Sequence, residues 1–378
     1  MAPNAVYPYA GMYSPCPMPL GMGAWEAYST NRVMTRGGDS VTDNKQLQHD
    51  DHVYDVTVIG AGPIGMFAAF YAATRNLDVQ LVESLPHLGG QVATLYPEKK
   101  IHDIAGFVSG TGEQLIANLK AQLDEFSDRI GIHTNEEVVG VERPAENAAA
   151  DSRVFALTTS KRVFRTRTVL IAMGSGAFTP RPLAVDYDHA LDNDKVFYFV
   201  KHIADFADLD VAVAGGGDAA IDWALTLEPI ARSVTLIHRR DNFRALESSV
   251  DALKSSSVRI LTPYKFASVA KRDDRLSIEL NQVKGAETKE LQVDALLVNY
   301  GFTSDNHLLK EWGLPVKRGD LEVNEYRETA VPGIYGIGDA VTYPGKVKLI
   351  SAGFGEAPGA INHIAETLYP DRKQPLHE

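Results

Sequence analysis

Tyr54-Asp55-Val56-Thr57-Val58-Ile59-Gly60-Ala61-Gly62-Pro63-Ile64-Gly65 decides the fold, together with Val79-Gln80-Leu81-Val82-Glu83 further along. Val56 to Ile59 is a short β-branched apolar run, the pattern of a strand buried on both faces. It runs straight into Gly60-x-Gly62-x-x-Gly65, and the small-residue segment to about Arg75 reads as a helix. Val79 to Val82 reads as the next strand. Gly60 permits the tight turn, Gly62 lets backbone approach a pyrophosphate, and Gly65 allows close helix–strand packing. The helix N-terminus offers free N–H groups and partial positive charge to phosphates. Glu83 stands 23 positions after Gly60, where a carboxylate accepts bonds from ribose hydroxyls and repels a 2′-phosphate. A glycine turn without function is the plain alternative, and the strand–turn–helix–strand context argues against it. This cradle suits FAD or NAD and disfavours NADP.

The same unit returns 155 positions later. Val211-Ala212-Val213-Ala214 reads as a buried strand, leading into Gly215-x-Gly217-x-x-Ala220 and a helix through about Leu227. Alanine is tolerated at the third position of the fingerprint. The next strand, Val234 to Ile237, ends in no acid but in His238-Arg239-Arg240, with Arg244 close behind. Arginine's planar fork pairs bidentately with phosphate, as the adenosine 2′-phosphate of NADP requires; the bland reading is a solvated basic turn. Opposite chemistry at equivalent positions is more informative than either motif alone. The expected fold class is therefore α/β, with two Rossmann-like dinucleotide-binding domains.

A third element, Gly336-x-Gly338-Asp339, follows a strand. In a flavoprotein of this type Asp339 would bind the ribitol chain of FAD, returning the chain to the first domain. The FAD domain is then discontinuous, with residues 53–173 and 294–378 as its parts and the NADPH-binding domain, 174–293, inserted between them. Residues 1–52 are rich in Pro, Gly, Ser, Asn and Met without apolar periodicity. They read as a disordered extension, or as sequence upstream of a true start at Met34.

Composition narrows the function. The chain has 378 residues, 44% of them hydrophobic, and a net charge of −12. An acidic total argues against nucleic acid as the main ligand. No stretch approaches the roughly 18 consecutive apolar residues of a bilayer span, so a soluble, cytoplasmic protein without membrane partners is expected. The one cysteine is Cys16, which leaves no disulfide, no Cys-rich metal site and no redox-active thiol pair.

From about Tyr54 onward the chain resembles the thioredoxin-reductase-like ferredoxin–NADP⁺ reductases. The resemblance rests on Glu83-Ser84-Leu85-Pro86-x-Leu88-Gly89-Gly90-Gln91, Leu95-Tyr96-Pro97-Glu98-Lys99 and Asp103-x-Ala105-Gly106-Phe107. It continues through Gly176-Ala177-Phe178-x-Pro180-Arg181, His238-Arg239-Arg240-Asp241-x-Phe243-Arg244, Gly353-Phe354-Gly355-Glu356-Ala357-Pro358 and Gln374-Pro375-Leu376-His377. It implies that Glu83 binds the FAD ribose and that Gln91 lies near the flavin ring. It also implies that Tyr96 stacks on one face of the isoalloxazine, that Val138 touches the adenine region and that Phe178 lines the flavin site. Asp339 would hold the ribitol, and His377 would cover the other flavin face from the partner subunit of a homodimer. Tyr96, Val138 and Phe178 read as ordinary core residues without the resemblance, and His377 as a terminal histidine. The chain stops at Glu378, where similar proteins continue through a Ser/Thr-containing segment near the flavin, so one implied contact has no residue here to supply it. Thioredoxin reductases carry a Cys-x-x-Cys pair where this chain has Val196 to Asp205, with no cysteine. Thiol–disulfide exchange needs two sulfurs, so electrons must leave by another route.

The implied activity is hydride exchange between NADPH and one non-covalent FAD per subunit, with single electrons passed to or from a ferredoxin or flavodoxin. No classical catalytic residue is nominated; Tyr96 and His377 are the flavin-stacking candidates. An acidic acceptor would need a local basic surface, for which Lys99, Lys100, Lys346 and Lys348 are candidates. An NADPH dehydrogenase for quinones or other diffusible acceptors is the alternative enzyme. A redox-sensing binding module is the alternative of another class.

Overall fold

The computed structural model describes residues 48–108, 110–144, 153–305 and 307–372. Most of the expected extension, Cys16, Met34 and His377 lie outside the described residues. The first sheet begins with β1 (Gln48–Ile59), so residues 48–52, expected to belong to a disordered extension, are part of a strand. The extra residues pair with a neighbouring long strand, Gln48 with Arg162 and His49 with Val163, before an irregularity in register ahead of Val53.

After β1 come α1 (Pro63–Thr74), β2 (Val79–Val82), α2 (Gly90–Leu95) and α3 (Gly112–Asp124). Then follow β3 (Ile130–His133), β4 (Val138–Glu142), β5 (Phe155–Thr159) and β6 (Arg162–Ile171). The strands lie in the order β3-β2-β1-β6-β5-β4. Burial on both faces explains the unbroken apolar runs. Val56, Val58, Val79 and Leu81 face one core with α1, while Ile59, Val82, Val169 and Ile171 face another. Thr57 and Gln80, polar yet fully buried, lie opposite each other in register and share a 2.9 Å hydrogen bond. Helix α3 opens with a capping box: Thr111 Oγ1 accepts from the Gln114 N–H at 3.3 Å and Gln114 Oε1 accepts from the Thr111 N–H at 3.0 Å.

The chain leaves this unit through β7 (Ala177–Pro180) and builds a second one. Its elements are β8 (Val196–Phe197), β9 (Asp210–Ala214), α4 (Asp218–Leu227), β10 (Ser233–Ile237), α5 (Glu247–Ser255) and β11 (Arg259–Leu261). A meander of β12 (Tyr264–Arg272), β13 (Arg275–Gln282) and β14 (Thr288–Val293) precedes β15 (Ala295–Val298). The second sheet runs β11-β10-β9-β15-β8, with every pairing parallel. Ala295–Val298, expected in the returning part of the first domain, is thus an inner strand of the second sheet. Only after it does the chain go back, through β16 (Phe302–Asp305), which pairs antiparallel with β7. The units are joined by this two-stranded ribbon.

The returning chain forms α6 (His307–Glu311), β17 (Val316–Lys317), β18 (Asp320–Glu322), β19 (Ile334–Gly336), β20 (Val341–Thr342) and α7 (Ile350–Leu368). β19 pairs parallel with β6, so the first sheet contains chain from both sides of the second unit, and the fold is a discontinuous Rossmann-like unit with another inserted. Helix α7 runs for 19 residues and carries Pro358 inside it. Gly353 lets it approach α1 closely, since a Cβ there would lie 2.4 Å from Ile64 Cδ1, and the Asp103 carboxylate accepts the Ile350 N–H at 2.8 Å. None of the helices among the described residues is long and apolar enough to cross a membrane.

Candidate functional site

The first cradle lies where β1 turns into α1. Gly60 has φ +100°, and a Cβ there would strike Ala172 O at 2.7 Å. A Cβ on Gly65 would lie 1.9 Å from Gly60 O, so this glycine is demanded by packing. A Cβ on Gly62 would meet nothing within 4 Å; the fold leaves that side open. Gly62 caps α1 without a side chain, and Pro63 at its first position has no N–H to satisfy. The Glu83 carboxylate is buried: Oε2 accepts the Ala61 N–H at 2.7 Å, and Oε1 accepts from Leu85 N–H at 2.9 Å and Ser84 Oγ at 3.1 Å. A carboxylate has about four lone-pair directions, so capacity remains for a ribose hydroxyl.

The Gly89-Gly90 turn folds onto this cradle. The Gly89 N–H donates to Ala61 O at 2.8 Å, and a Cβ on Gly90 would sit 3.0 Å from Gly62 Cα. Gln91 follows, with Nε2 facing Gly174 across the crevice. Tyr96 ends α2, and burial, then the Asp103 and Asp339 charges, push its phenol up to about 12. Tyr96 also packs against the core of the second unit. Val138 is buried at the start of β4. Phe178 is in β7, opposite Ser304.

Asp339 follows β19 and carries no side-chain hydrogen bond among the described residues. Its pKa is raised chiefly by burial, against the opposing pull of Lys348 and Lys346. The turn before it is held from α7. Glu356 Oε2 accepts the Gly338 N–H at 2.7 Å, and Oε1 accepts from Tyr343 Oη at 2.6 Å and Lys346 Nζ at 2.5 Å. Sequence reading quoted Glu356 within a motif but gave it no role.

The second cradle repeats the first with different lining. Gly215 is extended, and a Cβ there would meet Asn299 O at 2.5 Å and Ala220 Cβ at 2.7 Å. A Cβ on Gly217 would have no neighbour closer than Arg244 O at 3.6 Å. The Arg244 N–H donates to Gly216 O at 2.8 Å, and Asp218 Oδ1 accepts the Leu246 N–H at 2.9 Å. These bonds fold the loop after β10 over the glycine turn. His238 stacks on Phe243 with ring centroids 5.6 Å apart. Its Nε2 is buried without a partner, and burial, then Arg239, Arg240 and Arg244, lower its pKa, leaving it neutral at pH 7. The three arginines are exposed, and none has a carboxylate partner among the described residues. Tyr300 lies close to Arg239, and burial pushes its phenol up to about 12. Phe243 carries no role in the sequence motif that contains it, and Asn299 and Tyr300 lie outside the motifs; their positions depend on strand pairing and loop closure.

In the cysteine-free stretch from Val196, Val196 and Val200 are fully buried. Phe197 and Phe206 meet edge to face at 5.1 Å. Glu98 of the first unit accepts the Ile203 N–H at 2.6 Å and lies 3.1 Å from His202 Nδ1. Of the four candidate lysines for a basic surface, Lys99 pairs with Asp222, Lys346 with Glu356 and Lys348 with Asp320, while Lys100 is exposed without a carboxylate partner among the described residues. Lys346 is only 5% exposed. No cluster of metal-ligating side chains occurs among the described residues.

Two paired cradles on one α/β frame define the class. The chain belongs to the pyridine nucleotide-disulphide oxidoreductase family, whose description matches residues 54–361. Its relatives within that class are more particular. It is 52% identical over 327 residues to ferredoxin–NADP reductase 2 of Latilactobacillus sakei, covering 86% of this chain and 97% of the relative. It is 53% identical over 326 residues to the ferredoxin–NADP reductase of Lacticaseibacillus paracasei, with the same coverage of 86% and 97%. Among solved structures, Lactococcus lactis thioredoxin reductase is similar with a TM-score of 0.70 and 24% identity, over 84% of this chain and 99% of that one. The thioredoxin reductase of T. acidophilum has a TM-score of 0.69 at 22% identity, over 84% and 98%. These two likenesses bear on the fold alone.

Proposed function

We propose that this chain is a ferredoxin–NADP⁺ reductase that holds FAD in the first cradle and takes NADPH as substrate in the second. The observation that carries the reading is the contrast at the ends of β2 and β10. A buried carboxylate, Glu83, stands at one; unpaired Arg239, Arg240 and Arg244 stand at the other. The names and high identity of the relatives support the same activity.

FAD, when bound, supplies the chemistry that joins a two-electron hydride donor to a one-electron acceptor. In this reading Gly60, Gly62 and Gly65 admit the FAD pyrophosphate, and Glu83 accepts from the adenosine ribose. Val138 borders the adenine. Asp339 accepts from the ribitol hydroxyls, which relieves its desolvated carboxylate, while Glu356 keeps the Gly338–Asp339 turn in place. Gln91 and Phe178 border the ring, Tyr96 covers one face, and His377 of the partner subunit covers the other in a homodimer. Gly215, Gly217 and Ala220 admit the NADPH pyrophosphate, with His238, Arg239, Arg240 and Arg244 around the 2′-phosphate.

The acceptor is a ferredoxin or flavodoxin. The pairing of three of the four candidate lysines with carboxylates of this chain favours testing a second reading, an NADPH dehydrogenase for quinones. Anaerobic steady-state reduction of a panel of ferredoxins, flavodoxins and quinones decides between them. Turnover with ferredoxin that slows as salt rises is expected; salt-independent turnover with quinones alone overturns the first reading in favour of the second.

A further inference from the structure

The two units share strand order and register, so each position on one crevice floor has a counterpart on the other. Ile59 pairs with Ile171 in the first sheet, and Ala214 with Val298 in the second. One residue on, Ala172 N–H donates to Ile59 O and Asn299 N–H donates to Ala214 O, both at 2.8 Å. The first glycine of each turn rests on the same carbonyl, that of Ala172 in one unit and Asn299 in the other. Ala172 and Asn299 are therefore equivalent, and their side chains differ.

Alanine serves the position in the first unit. Asn299 Nδ2 is buried with no hydrogen-bond partner among the described residues, and leaving a buried donor unmet is unfavourable. Asn299 also directly follows β15 beside β9, where the connections of the second sheet diverge to opposite sides. In open α/β sheets the pyrophosphate crosses such a switch point. His238 and Arg239 lie on the β10 side of β9, and Asn299 on the β15 side. A dinucleotide whose 2′-phosphate end meets the arginines must carry its other half toward Asn299.

We infer that Asn299 is an NADPH-binding residue that donates from Nδ2 to an oxygen of the nicotinamide ribose-diphosphate half. This rests on the proposed reading of the second cradle, and it adds to that reading a contact on the side away from the 2′-phosphate. The unpartnered donor is then completed by the substrate.

The test measures binding of NADP⁺ and of 2′,5′-ADP, which keeps the adenosine half and lacks nicotinamide ribose, to the flavin-loaded enzyme and to Asn299→Ala and Asn299→Asp. Loss of one bond to a charged acceptor corresponds to about a tenfold to hundredfold weaker Kd. Asn299→Ala is expected to weaken NADP⁺ by that factor, to leave 2′,5′-ADP binding and flavin content unchanged, and not to lower the Tm. Asn299→Asp, which sets a carboxylate against the diphosphate, is expected to weaken NADP⁺ further. Unchanged NADP⁺ binding in both variants, or equal weakening of both ligands, overturns the inference. Failure of the unsubstituted enzyme to bind 2′,5′-ADP would instead remove the reading of the second cradle itself.

Discussion

Lys99 Nζ lies 2.6 Å from Asp222 Oδ2, an ion pair between the segment after α2 and helix α4 of the other unit. Together with the Glu98 bonds to His202 and Ile203 and the packing of Tyr96, it ties together two bodies that share just two chain crossings. Both side chains are partly exposed, so the pair contributes about 0.2–1 kcal/mol and weakens with salt. At saturating NADPH, the limiting rate of anaerobic flavin reduction is therefore expected to vary with ionic strength. In Lys99→Met that dependence should largely vanish. A rapid-mixing comparison showing identical salt profiles would remove this tie from the catalytic cycle.

Substituting Arg239 and Arg240 together with alanine should raise the KM for NADPH about 10- to 150-fold. The basis is about 1.5–3 kcal/mol for one charge-assisted contact. NADH, which lacks the 2′-phosphate, should be used nearly as before. Equal losses with both coenzymes would contradict the 2′-phosphate assignment.

Gly62 and Gly65 should fail in opposite ways. The Cβ of Gly62→Ala enters open space, so the apoprotein should keep its Tm while flavin content falls. Gly65→Ala puts its Cβ 1.9 Å from a backbone oxygen, and overpacking of this kind costs about 1–3 kcal/mol or more. Thermal melts and flavin absorbance on the purified variants separate the two.

Asp339 gives a pH signature. Burial raises its pKa in the folded chain, so the ionised form is less favourable there than in the unfolded chain. Its contribution is most favourable at low pH and is lost as pH rises through the folded value. Asp339→Asn should therefore raise the Tm of the apoprotein at neutral pH, with the gain shrinking on acidification. The same variant should retain FAD poorly, because an amide accepts ribitol hydroxyls less well than a carboxylate. A gain that grows as pH falls would reverse the assigned sign.

The placing of the glycine turns, Glu83 and the His238–Arg244 run at the strand ends was legible because each lies within one strand–turn–helix unit. What escaped depends on contacts distant in sequence. The first half of α7 contains Gly353, Gly355 and Pro358, residues that locally argue against a helix. It is secured by Asp103 at Ile350, 247 positions away. Lys99, Lys346 and Lys348 looked free because their carboxylate partners arrive through folding. β15 was assigned to the wrong unit because an isolated apolar run does not say which sheet it joins. Asn299 acquires meaning only once β15 is seen beside β9.

The β7–β16 ribbon sets the ends of the inserted unit side by side, with the Arg181 N–H donating to Gly301 O at 2.9 Å. A segment whose entry and exit are neighbours can be exchanged as a cassette without rethreading its host. Coenzyme preference in such a chain can then be regrafted from a relative by joining at this ribbon, while the prosthetic-group cradle keeps its own lineage.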